Sequence, residues 1–278
     1  MITKQELVKA LYLFCVENYF LAWMNRYYDV TNLYGANFVS LGQLFDDFSH
    51  GATYENYCTI PRLQDVAEEY GIVKHEYRRC NVREAMRLLS ALPEDVLGLV
   101  RVNSNFFIGY KRASWREDHY ICMNGALQWI NQYPLSEGQY TEEQFSIVYD
   151  GAISLYRMAD TNVRPPDILT EAVRRQDFSE IRLPGRVSSL ESAIGVLRIT
   201  RKRMAAYFSK SDGLYALLQT EIKYLDEIYF KLRMKQIKER HAQDKGLLIE
   251  EVLRETREPF AKVVAAEKKV AEVIKNGG

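Results

Sequence analysis

Hydrophobic and polar positions along this chain follow two different periods. Through residues 5–28 apolar and aromatic side chains recur at helical spacing, with Leu7, Leu11, Phe14, Cys15, Tyr19, Leu21, Trp23 and Met24 on the stripe. Thr3 followed by Glu6 has the form of a capping box ahead of that helix. Residues 61–71, PRLQDVAEEYG, open on Pro and close on Gly, the asymmetry of a short helix. IVKHEYR (72–78) then alternates as a strand does. Asn81 caps a helix over NVREAMRLLSAL, and strands are expected at VLGLVRVN and FFIGYK. HYICM and ALQWI flank Asn124-Gly125, a hairpin signal because both turn residues tolerate positive φ. The hairpin places His119 and Asn131 at the same end of the sheet. Thr141 with Gln144 caps one more short helix, TEEQFSIVYDG.

From about residue 152 the strand pattern gives way to helix. Arg164-Pro165-Pro166 marks a loop, and Ser188 or Ser189 stands ahead of a long helical run. Over 212–244, Leu214, Leu218, Leu225, Ile228, Leu232 and Ile237 share one face. A further helical stretch, 247–275, contains Pro259, which is expected to kink or restart it. The pattern reads as α+β: a domain over residues 1–151 with an antiparallel sheet, then an all-α bundle over 152–278.

Composition narrows the function classes. The 278 residues carry 37 Lys plus Arg against 37 Asp plus Glu, so no global field recruits nucleic acid or an anionic membrane. No apolar run approaches the roughly 20 residues of a membrane span, and the first residues lack a secretory pattern. A cytoplasmic protein is expected, without nucleic-acid or membrane partners. Its long helices could equally pair two copies into a homodimer. Phosphate loops, dinucleotide fingerprints, zinc-protease and nucleophile-elbow motifs are all missing.

Four cysteines, Cys15, Cys58, Cys80 and Cys122, fall at unpatterned spacings, so neither a metal site nor a cofactor is expected. Of the four histidines, His241 lies in a charged helix, His75 among strand charges and His50 in a loop-like SHGAT. His119 begins an apolar strand directly after WRED. An imidazole there could draw a proton from a thiol, with Asn131 across the hairpin fixing its tautomer and Gln132 beside it in reserve. Cys122 points to the other face of the same strand. Cys15 fits the nucleophile if a helix begins at it, because the positive helix end lowers a thiol pKa. If the capping box at Thr3 starts the helix, Cys15 is mid-helix and belongs to the core.

Five phrases occur in order: CVENYFLAWMNRYY, YGANFVSLGQLFDDF, LQDVAEEYGIVKHEY, DHYICMNG and INQYPLSEGQYTEEQFSIVYDG. Together with the amphipathic helices that follow, their layout resembles the family of the butirosin biosynthesis protein H. That family is related to papain-like and C39-like cysteine enzymes. The resemblance implies a papain/C39-like N-terminal half. It also implies a cysteine-dependent acyltransferase or thioesterase-like enzyme of polyketide or nonribosomal natural-product biosynthesis. Cys15 would be the nucleophile, His119 the base and Asn131 the orienting residue, with Glu17, Asn18 and Gln132 lining the pocket. The substrate would ride on the phosphopantetheine of an acyl or peptidyl carrier protein, and a small molecule would accept the acyl group. The helical half would dock that carrier, with Arg201, Lys202, Arg203, Lys231 and Arg233 as the basic candidates. The family commonly has a carboxylate where Asn131 stands; papain-type enzymes use an amide. The same dyad would also serve a peptidase or editing thioesterase. A protein that retained the fold without the chemistry could instead act as a non-catalytic assembly-line partner.

Overall fold

A computed structural model of the chain describes residues 2–7, 15–35, 38–52, 57, 67–103, 119–132, 134–159, 167–176, 178, 186–206, 208, 213–239 and 245–276. The architecture is mixed α/β with one antiparallel sheet. The chain separates into two compact units. One comprises residues 1–9, 13–30 and 62–166; the other comprises 10–12, 31–61 and 167–278.

The first unit is built on α1 (Cys15–Met24), β1 (Ile72–Arg78), α3 (Val82–Ser90), β2 (Leu97–Val102), β3 (His119–Met123), β4 (Gln128–Asn131), β5 (Ser136–Gln139), α4 (Glu142–Val148) and β6 (Tyr149–Met158). The sheet order is β1-β6-β2-β3-β4-β5. Two caps expected from the sequence form: the Asn81 side chain accepts the Glu84 N–H, and Thr141 and Gln144 make a reciprocal capping box. Val100, Val102, Ile121, Met123 and Ile153 pack with Ala85 and Leu89 of α3 and Phe145 of α4. On the other face Phe20 of α1 meets the Tyr156 ring of β6 edge-on at 5.0 Å. Burial on both faces is why β2, LGLVRV, reads as a nearly continuous apolar run.

Several expectations are corrected. The boundary at 151/152 falls inside β6, which runs on to Met158 between β1 and β2. A central strand covered on both sides lacks the alternation that would have marked it. The capping box at Thr3 does form, with the Thr3 N–H donating to Glu6 Oε2 at 2.6 Å. Residues 4–7, however, are turn and bend, so no helix runs on from Lys4 through Leu7. The expected strand at 106–111, most of the helix at 61–71, Cys58 and His241 lie outside the described residues.

The second unit gathers α2 (Leu41–Ser49), α5 (Ile168–Arg174), α6 (Val187–Ala205), α7 (Gly213–Glu239) and α8 (Lys245–Lys275) around two apolar clusters. The N-cap of α6 is Arg186, not a serine, and makes no side-chain cap bond. α8 continues through Pro259 without a break. The stripe on α7 is buried from Leu214 to Leu232, while Ile237 is exposed together with Phe230 and Met234. No helix among the described residues is long and apolar enough to cross a membrane.

The basic residues expected to dock a carrier are engaged within this unit. Arg201 is fully buried, bonded to Glu221 at 2.8 Å, Glu267 at 3.0 Å and the Val39 carbonyl at 2.9 Å, and its guanidinium lies over the Phe38 ring. Arg203 is buried as well. Lys202 pairs with Asp226, Lys231 with Glu227 and Arg233 with Glu191. A sequence shows that a helix is charged; it does not show that a neighbouring helix supplies the matching acid.

Candidate functional site

The site lies where β3 and β4 part company. Their ladder pairs Met123 with Trp129 and Cys122 with Ile130. The turn between them differs from the one Asn-Gly suggests. Neither Asn124 nor Gly125 adopts positive φ; Leu127 does, at 55°. The Leu127 N–H donates to the Asn124 carbonyl at 3.1 Å, and the Asn124 side chain accepts from the N–H groups of Ala126 and Gln128. This is a three-residue loop closed by a left-handed residue. Gly125 is needed for space: a Cβ there would stand 2.7 Å from the Leu89 carbonyl oxygen.

Loop length decides the chemistry. A two-residue turn would pair Met123 with Ala126 and put His119 and Asn131 on opposite faces of the sheet. The observed register differs by an odd number of residues, which moves Asn131 to the face of Trp129, Met123 and His119. His119 Nε2 then lies 2.9 Å from Asn131 Oδ1. The amide is itself oriented, because Asn131 Nδ2 donates to the Pro134 carbonyl at 3.1 Å. Its oxygen must therefore be the atom facing the ring, and His119 carries its proton on Nε2, leaving Nδ1 as the basic nitrogen. Asn131 is wholly buried. Burial lowers the His119 pKa from its ordinary 6.5, against the smaller upward effect of the Asn131 bond.

α1 meets the strands at their rim. The backbone N–H groups of Tyr120, the residue after His119, and of Val16 and Cys15 itself each favour the Cys15 thiolate. One turn further along α1, the Tyr19 hydroxyl accepts the Gln132 N–H at 2.8 Å. The Gln132 N–H thus serves α1. Burial nevertheless raises the Cys15 thiol above its ordinary pKa, outweighing the three N–H groups. Residues 8–14, where the start of this helix is decided, lie outside the described residues; burial is the largest influence on the thiol.

The remaining pocket candidates fall close by. Glu17 and Asn18 are buried on α1, and the Glu17 charge adds to the upward push on Cys15. Gln132 follows Asn131 directly and is half-buried. Cys122 is buried, its thiol pushed up to about 12, in keeping with a core residue. Cys80 is buried under α3, and His50 and His75 are exposed. The residue that sequence reasoning missed is Tyr19. Its place four residues after Cys15 was legible, but not the backbone N–H that it meets. Among the described residues no three His, Cys, Asp or Glu side chains gather as a metal-ligand set. Comparison of the chain with protein-family models, with curated proteins and with solved structures returns no match.

Proposed function

We propose that this protein is a cysteine-dependent acyl-transfer enzyme in which Cys15 is the nucleophile, His119 the general base and Asn131 the group that holds the base. The observation that carries the reading is the oriented His119–Asn131 pair at the strand ends, next to Gln132, whose N–H is held by Tyr19 one helical turn after Cys15. Cys15 rests as a neutral thiol and His119 as a neutral imidazole, since burial disfavours both charged forms. The mechanism is then general-base attack: His119 Nδ1 takes the thiol proton as sulfur adds to the acyl carbon. The tetrahedral oxyanion would be met by backbone N–H groups at the start of α1. Collapse expels the donor's thiol, which takes the proton back from His119. An amine or water then attacks the acyl-enzyme with His119 again as base.

In this reading the donor is a thioester carried on phosphopantetheine by an acyl or peptidyl carrier protein, and the sheet-bearing unit is papain- or C39-like. Membership of the butirosin biosynthesis protein H family, and a place in polyketide or nonribosomal assembly, belong to the same proposal. The test is to incubate the protein with an acyl-pantetheine thioester and map the adduct by mass spectrometry. An acyl group on Cys15 that disappears in Cys15→Ala is the expected result. An adduct that survives the substitution, or none in the wild type, would defeat the assignment.

A further inference from the structure

The His119–Asn131 pair and the thiol stand on different elements, so something must hold the end of β4 against α1. We infer that the Tyr19 hydroxyl is the positioning group that fixes Asn131, and through it His119, relative to Cys15. The inference rests on the acyl-enzyme reading above and adds a residue to it.

Tyr19 is fully buried and lies four residues after Cys15, so both side chains rise from one face of α1. Its hydroxyl accepts the N–H of Gln132 at 2.8 Å. Gln132 is bonded covalently to Asn131, whose side chain holds His119 Nε2 at 2.9 Å. A path of one helical turn, two hydrogen bonds and one peptide bond therefore joins thiol to imidazole. Burial keeps the phenol neutral, and proximity to Cys15 adds to that effect. Tyr19 therefore acts as an uncharged strut. Phenylalanine would keep the ring packing and remove only the oxygen, leaving the β4 end without its tie to α1.

The experiment follows carboxamidomethylation of Cys15 by iodoacetamide from pH 5 to pH 10, read by mass spectrometry of the Cys15 peptide. It uses the full chain as wild type, His119→Ala, Tyr19→Phe, Asn131→Ala and the Tyr19→Phe/Asn131→Ala double variant. The wild type should show a limb near neutral pH that His119→Ala removes. Tyr19→Phe should lower that limb about tenfold, the worth of one buried hydrogen bond, while the alkaline limb of the bare thiol persists. In the Asn131→Ala background Tyr19→Phe should add nothing, because both act through the same group. A purely structural role would give effects that multiply, and multiplication overturns the inference. An unchanged neutral limb in Tyr19→Phe overturns it alone. An unchanged limb in His119→Ala sinks the acyl-enzyme reading and this inference together. Amide exchange at Gln132 gives a check that needs no variant: the N–H should be protected, and free exchange in the native protein would exclude the strut.

Discussion

Asn131→Ala tests the orientation argument at its narrowest point. The substitution removes two hydrogen bonds from a fully buried position, but the two losses are unequal. The Pro134 carbonyl keeps a donor, since the Ser136 hydroxyl also reaches it at 3.0 Å. His119 Nε2–H loses the acceptor that fixes its tautomer. Losing this half-buried hydrogen bond costs about 0.5–1.5 kcal/mol, which is roughly 2- to 13-fold in the population of the ring with Nδ1 unprotonated. Reactivity of Cys15 at neutral pH should fall by a factor in that range. The His119 pKa should also drop further below 6.5, because the bond to Asn131 is what raises it. The assay pairs carboxamidomethylation of Cys15 with the ¹⁵N shifts of the His119 ring, which report the tautomer directly. A variant that alkylates at the wild-type rate, or whose ring still carries its proton on Nε2, would refute the reasoning.

Acyl transfer should persist into mildly acidic solution, since burial lowers the His119 pKa and the base stays unprotonated below pH 6.5; a pH–rate profile whose acidic limb sits above 6.5 would contradict this. Arg201→Ala should destabilise the protein by about 3–5 kcal/mol by stranding two buried carboxyls, measured as a fall in the urea midpoint at constant slope. The Glu267 carboxyl, pushed up to about 8 by burial, holds a proton in the folded chain that the unfolded chain releases near 4.5. Its contribution to stability should therefore be full below pH 4.5 and be lost as pH rises through 8, and Glu267→Gln should flatten that decline in thermal melts across the range. Gly125→Ala should cost about 1–3 kcal/mol, because the new methyl meets a backbone carbonyl that a rotamer change cannot move; a melting temperature equal to wild type would show that the loop yields.

Much of the local structure was legible in the residues themselves. The caps at Asn81 and Thr141 need only a side-chain oxygen and a nearby N–H, so sequence spacing suffices to mark them. Strand β1 and the buried stripe of α7 up to Leu232 follow from period alone. That His119 and Asn131 lie near one end of a hairpin was equally readable. Their facing each other was not: it depends on a left-handed Leu127 and on Gly125 pressed against the Leu89 carbonyl, both products of packing on α3. The fate of the charged residues of α6 also belongs to tertiary structure, because their acids come from α7 and α8. So does the protonation of Cys15, where three N–H groups favour the thiolate and burial outweighs them. Sequence determines what each residue can do with its near neighbours along the chain. Folding decides which distant groups become neighbours and how much water is left between them, and the candidate site depends on both.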